Sequence, residues 1–221
     1  MEAANLKINI GNTALKAAWA DGMTLGKTFR YQGERMLDFI LSLTEKTKPN
    51  VMILSSVRTF SKQAVEKLRN ECTRLIIIDE NILERYDVPS YLSPDRAASI
   101  IASRYLFKKR GCTIFDLGTT LTVDFLDPEG RYEGGNVSLG CRTRFKALNR
   151  YAKPLPLLGA AEDISQKGTD IASSITSGVI SGIMFEIEGY VSQHPENIAV
   201  FTGGDAIYFK KRMKNSIFVV C

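Results

Sequence analysis

An acidic residue closing an apolar run, followed by a glycine and several hydroxyls, suits a place where phosphate and cation meet. "DLGTTLT" (116–122) has this make-up. Gly118 lets the backbone turn and come close to an anion, Thr119, Thr120 and Thr122 offer hydroxyls, and Asp116 can bind a cation or a water on one. Near the start, "INIGNTALKAA" (8–18) offers Gly11, Asn12, Thr13 and Lys16, but Asn9 stands where a carboxylate is expected. An amide keeps the shape and an acceptor oxygen of a carboxylate and lacks its charge. "FTGGDA" (201–206) runs an apolar stretch into Gly203 and Gly204, where a flat or phosphorylated ligand can approach the backbone. "SPDR" (93–96) puts Asp95 and Arg96 at a helix start, with Asp95 either the N-cap or in the first turn. A carboxylate there can take the proton of a hydroxyl nucleophile during phosphoryl transfer, and a neighbouring arginine can hold an anionic substrate. Taken singly, each stretch also reads as an ordinary turn or helix cap.

Repetition sets them apart. Sliding the first stretch forward by 107 positions lays Asn9 on Asp116, Gly11 on Gly118, Asn12 on Thr119 and Thr13 on Thr120. The loop chemistry recurs, so the chain reads as two α/β halves, each opening with a strand, turn and strand.

Composition narrows the chemistry further. The single histidine, His194 beside Pro195, argues against a Ser-His-Asp triad and a histidine-held metal. Four cysteines without a C-x-x-C argue against zinc or a disulfide framework and fit a reducing cytosol. "GGNVSLGC" (134–141) has the glycine spacing of a Walker loop but lacks its Lys-Ser/Thr, and no G-x-G-x-x-G is present. The net charge of +5 suits anionic small substrates. The basic clusters "FKKRG" and "FKKRMK" read as solvated helix ends rather than a nucleic-acid surface. No apolar run approaches the roughly 18 residues of a membrane span, and the N-terminus does not read as a signal peptide.

The elements that position these residues follow from period and punctuation. "LKINI", "ALKAAWA" and "TLGKTFRYQ" predict three strands with turns at "GNT" and "ADGM". A helix is expected over "GERMLDFILSLTEKT", a buried strand at "NVMILSSV", an amphipathic helix at "FSKQAVEKLRNEC" and a second buried strand at "TRLIIID". "DRAASIIASRYLFKK" follows as a helix after the loop 86–95. In the second half, "CTIFDLGTTLTVDFLDPEG" and "RYEGGNVS" repeat the hairpin and third strand. A long helical stretch from about Asp170 to Gln193 is expected to be broken by Gly178, Gly182 and Gly189. A strand at "NIAVFT", a basic helix and a last strand "SIFVV" close the chain.

Three phosphate or nucleoside loops in this order on a duplicated fold resemble the actin, sugar kinase and Hsp70 superfamily. Within it, "NIGNTALK", "YLSPDR", "DLGTTLTVD", "GGNVSLG" with "RFKAL", "SITSGVISG" and "TGGDA" are similar to the type III pantothenate kinase family over nearly the whole length. The resemblance implies a duplicated, ribonuclease H-like α/β fold with mixed sheets, two βββαβαβα-type halves at 1–108 and 109–221. It implies ATP-dependent phosphorylation of pantothenate, the first step of coenzyme A synthesis, with Mg²⁺ and a monovalent cation (K⁺ or NH₄⁺), by a cytoplasmic homodimer. By that likeness Asp95 is the general base and Arg96 holds the pantothenate carboxylate, with Tyr91 and Ser93 beside it. Asn9, Gly11, Asn12, Thr13 and Lys16 form one phosphate loop, and Gly118, Thr119 and Thr120 the other. Gly203 and Gly204 lie near the adenosine, and Asp116 binds the monovalent cation. The chain departs from the family pattern at Asn9 (Asp), at Ser93 (Gly) and at Ile171, where a threonine reaches the partner's substrate. It also stops at Cys221, where relatives continue. These departures leave two other readings: a homologue that binds nucleotide without chemistry, and a kinase for a different hydroxyl acceptor.

Overall fold

Alternation of apolar and polar residues makes Asn5–Ile10 (β1) a strand with Leu6, Ile8 and Ile10 buried and Lys7 exposed. In the computed structural model, which describes residues 4–22, 24–213 and 217–218, it lies at the centre of the first of two compact units, Met1–Ala98 and Ser99–Cys221. Lys214, Ser216, Val219, Val220 and Cys221 of the sequence readings lie outside the described residues, as does Met23 of the first "ADGM" turn.

In the first unit β1 pairs antiparallel with β2 (Leu15–Asp21), and β2 with β3 (Thr24–Tyr31). After helix α1 (Met36–Thr44), strand β4 (Val51–Ser56) pairs parallel to β1. After α2 (Lys62–Asn70), β5 (Arg74–Ile77) pairs parallel to β4, giving the order β3-β2-β1-β4-β5. Expected as a buried strand, β5 is instead the sheet edge: Arg74 is exposed and Leu75, Ile76 and Ile77 are half-buried, because among the described residues one side has no neighbouring strand. A further short helix, α3 (Glu80–Arg85), not expected from the sequence, is started by Asp79, whose side chain accepts from the Ile82 amide at 3.1 Å.

Helix α4 (Pro94–Leu106) contains the division between units. Proline begins it, where a missing amide costs nothing, so Asp95 lies in the first turn and not at the cap.

The second unit repeats the first. Strands β6 (Cys112–Leu117), β7 (Thr120–Leu126) and β8 (Tyr132–Leu139) form the antiparallel meander. Helices α5 (Cys141–Tyr151) and α6 (Ile171–Gln193) follow. Strand β9 (Ile198–Thr202) pairs parallel to β6, and β10 (Ile217–Phe218), after α7 (Ala206–Lys210), pairs parallel to β9. The order β10-β9-β6-β7-β8 is that of the first sheet read from the other edge. Phe115 and Phe201, both fully buried with ring centroids 5.2 Å apart, tie β6 to β9 in the core.

Two expectations change in this unit. Helix α6 is continuous through Gly178, Gly182 and Gly189. Ile175, Val179, Ile180, Ile183 and Ile187 recur at helical spacing and are buried, which outweighs about 1 kcal/mol of propensity lost per glycine. At Gly189 a Cβ would meet nothing within 4 Å. Gly189→Ala is therefore expected to stabilise the fold by about 0.5–1 kcal/mol in chemical denaturation.

The second change concerns the repeat. The constant offset of 107 holds only to the glycine of each turn. Asn9 pairs with Lys16, whereas Asp116 pairs with Thr122, so the first turn is one residue longer. Gly11 donates to Ala14 O at 3.1 Å and Gly118 to Thr120 O at 3.0 Å, which makes Thr120 the counterpart of Ala14 and not of Thr13.

Candidate active site

In each unit the central strand carries one polar side chain near its C-terminal end, and both neighbouring strands place a polar residue beside it on the same face. In the first unit the row is Lys16, Asn9 and Ser55 across β2, β1 and β4. In the second it is Thr122, Asp116 and Thr202 across β7, β6 and β9. Among the described residues, the buried side-chain oxygens and nitrogens without a hydrogen-bond partner are Asn9 Oδ1, Ser55 Oγ and Thr122 Oγ1. All three belong to these rows. An orphaned buried polar atom costs about 1–3 kcal/mol, so such atoms collected at two equivalent places mark positions kept for a ligand or its water.

The turns beside the rows are open to an anion. Neither Gly11 nor Gly118 has a positive φ. An added Cβ would meet nothing nearer than 3.9 Å at Gly11 or 3.8 Å at Gly118. The missing side chain instead leaves the surface of each turn clear. Asn12, Thr13 and Lys16 are exposed around the first turn and Thr119 on the second.

Two glycines hold the second site together by close packing. Gly203 has φ +95°, and a Cβ there would fall 2.4 Å from Asp116 Oδ1 and 2.6 Å from the Leu117 backbone. The Asp205 amide donates to Leu117 O at 2.9 Å, sealing the Gly203-Gly204 turn against β6. Gly140, which caps α5, donates to Thr119 O at 3.1 Å, joined by Thr143 Oγ1 at 2.6 Å. No side chain caps the α5 N-terminus, so its first amides and Arg142 face an anion-favouring end of a helix.

A cavity of about 400 Å³ lies next to that helix start, lined by Cys141, Phe145, Lys146, Leu158, Gly204 and Tyr208 among others. Burial pushes the Cys141 thiol up to about 11, with Asp205 raising it further, so it is a neutral wall at ordinary pH. The loop that closes one side is held by α7 and the turn after it. Tyr208 donates its hydroxyl to Ala161 O, and Arg212, stacked 3.7 Å over the Tyr208 ring, donates to Glu162 O. Apolar walls with a few polar groups at the rim suit a planar base.

The acceptor-side residues sit at the start of α4. Val88 and Leu92 are buried and anchor the loop, while Tyr91 is 71% exposed. Ser93 Oγ and the Arg96 amide (2.9 Å) both donate to Asp95 Oδ1, which fixes the carboxylate through one oxygen. Arg96 is buried. Ile171, at the first position of α6, is 60% exposed. The Asp170 capping box fixes the start of that helix, and Gly168 is packed on Ser174.

The structure thus joins Asp116, Gly118, Thr119, Gly203 and Gly204 in one place, and Asn9 with Lys16 in another. Tyr91, Ser93, Asp95 and Arg96 form a separate group on their own loop and helix. Ser55 and Thr143 were not singled out from sequence, and the stretches "GGNVSLGC" and "RFKAL", which hold Gly140, Cys141, Phe145 and Lys146, were quoted without a cavity role. The hydroxyl pair ending the otherwise apolar "VMILSS" was the one available signal for Ser55.

No group of three or more His, Cys, Asp or Glu able to hold a metal occurs among the described residues. Among the same residues no helix is long and apolar enough to cross a membrane.

Two sheets of one strand order, each opening on a glycine-hydroxyl hairpin, are the duplicated α/β architecture of the actin-like ATPases. A family model described as type III pantothenate kinase matches residues 5–193, and the chain belongs to that family. The type III pantothenate kinase of Cytophaga hutchinsonii is 36% identical over 228 residues, covering 98% of this chain and 93% of the relative. That of Azobacteroides pseudotrichonymphae is 34% identical over 219 residues, covering 96% and 89%. Among solved structures, a Baf family protein from Campylobacter jejuni shares the fold with a TM-score of 0.62 at 18% identity, covering 97% of this chain and 90% of that one.

Proposed function

We propose that this chain phosphorylates pantothenate with ATP, giving 4'-phosphopantothenate, the first step of coenzyme A synthesis. The observation that carries the reading is the repeated hairpin row, Lys16-Asn9-Ser55 and Thr122-Asp116-Thr202, in a chain of this family. Asp95 takes the proton of the pantothenate hydroxyl as its oxygen attacks the γ-phosphorus in line and ADP leaves. Arg96 pairs with the pantothenate carboxylate, and Tyr91 and Ser93 bound the acceptor. Gly11, Asn12, Thr13 and Lys16 bind phosphate from the 1–108 half. Gly118, Thr119 and Thr120 do so from the 109–221 half, where Gly203 and Gly204 meet the adenosine. The α5 cavity suits the base. Asn9, with its unpartnered side-chain oxygen, would help to hold Mg²⁺, which would supply positive charge to the phosphoryl group in transfer. Asp116 is the residue for K⁺ or NH₄⁺. We place the enzyme in the cytoplasm as a homodimer, in which exposed Ile171 stands at the position facing the partner's substrate.

Release of ADP with and without pantothenate, under saturating Mg²⁺ and K⁺, tests the reading. ADP release that rises only with pantothenate supports it. Release that rises instead with another small hydroxy acid identifies a different acceptor, and none with any acceptor removes the kinase reading.

A further inference from the structure

We infer that Ser55 is a binding residue for the cation that travels with the nucleotide, working with Asn9 as a neutral two-oxygen site. This rests on the nucleotide-kinase reading above. Ser55 and Asn9 are register partners on the parallel strands β4 and β1, so they stand side by side on one face about 4.8 Å apart. Each has a buried side-chain oxygen without a partner, and they do not bond to each other. Ser55 is 6% exposed, in a strand whose neighbours are apolar. A serine hydroxyl has an easy alternative in such a place, a bond to a nearby backbone carbonyl, as Ser56 shows by bonding Arg58 O at 2.8 Å. That Ser55 and Asn9 are both left open points to an outside occupant. Two neutral oxygens, side by side near the ends of parallel strands and next to an open glycine turn, suit the water shell of a small hard cation.

The neutrality has a consequence for order of binding. In the equivalent row of the second unit the central residue is a carboxylate, Asp116; here it is an amide. Without a negative charge of its own, the Asn9–Ser55 pair holds the cation only when phosphates supply the charge. The cation therefore enters as its nucleotide complex.

The test is ligand binding with no turnover. ADP affinity is measured by calorimetry with and without Mg²⁺, and melting temperature is followed with Mg²⁺ alone, for the wild type, Ser55→Ala and Asn9→Asp. Ser55→Ala removes an unpartnered polar atom, so its melting temperature without ligand is expected to equal or exceed the wild type's. Its gain in ADP affinity on adding Mg²⁺ is expected to fall about tenfold, the usual size for a residue that holds a metal's water. Mg²⁺ alone is expected to leave the wild-type melting temperature unchanged and to raise that of Asn9→Asp. A Ser55→Ala protein that gains as much from Mg²⁺ as the wild type overturns the role of Ser55 and leaves a structural water as the occupant. A wild-type melting temperature raised by millimolar Mg²⁺ without nucleotide overturns the order of binding. If the wild type binds no ADP at all, the kinase reading itself fails, and this inference with it.

Discussion

Asp95→Asn is expected to lower kcat by about 10³-fold and to leave ADP affinity within about twofold of the wild type. Asparagine has the same shape and keeps an oxygen to accept from Ser93 Oγ and the Arg96 amide, so the side chain stays where the carboxylate was. Helix α4 still begins at Pro94, and the buried Leu92, Ala97 and Ile100 around it are untouched. What is lost is the ability to receive the acceptor's proton. Steady-state kinetics with pantothenate and nucleotide titration of the same preparation separate the two effects. A fall in affinity equal to the fall in rate would assign Asp95 to binding.

Gly203→Ala is the second large effect, and it acts through shape. At φ +95° a Cβ is strained whatever surrounds it, and here it would lie 2.4 Å from Asp116 Oδ1 and 2.6 Å from both Leu117 N and Leu117 O. Backbone atoms of a central strand cannot step aside. Either the Thr202–Asp205 turn unpacks from β6 or Asp116 is pushed out of its row. Strain and overpacking together come to about 3 kcal/mol or more, visible as a lower denaturation midpoint. Nucleotide affinity is expected to fall with it. By contrast Gly118→Ala meets nothing nearer than 3.8 Å, so it is expected to fold normally and to lose affinity only where a phosphate needs the cleared surface. The pair of variants separates a glycine required by the chain from one required by the ligand.

Much of this site could be read from the sequence because its signals are local. "LKINI" alternates, "DLGTTLT" compresses acid, glycine and hydroxyls into one turn, and Pro94-Asp95 starts a helix in the way prolines and acids do. What escaped depends on pairing between distant strands. The extra residue in the first turn shows only when Asn9 is seen opposite Lys16 and Asp116 opposite Thr122. Ser55 gains its meaning from lying beside Asn9, 46 residues away in the chain but in register with it. Burial of β5 was overestimated because "RLII" does not say that it lies at an edge. Gly178, Gly182 and Gly189 suggest breaks in α6, but the buried isoleucine and valine stripe outweighs them and the helix runs through. The α5 cavity has a wall from the long connection before α6, held by Tyr208 and Arg212 near the far end of the chain, which no local pattern announces.

The proposed reaction is transfer of a phosphoryl group to pantothenate with Asp95 as the base. Mass spectrometry of the products from ATP, Mg²⁺, K⁺ and pantothenate tests it most directly, with wild type and Asp95→Asn run in parallel. The expected result is 4'-phosphopantothenate in step with ADP from the wild type and almost none from Asp95→Asn. ADP formed without phosphorylated pantothenate, or equal product from both proteins, would contradict it.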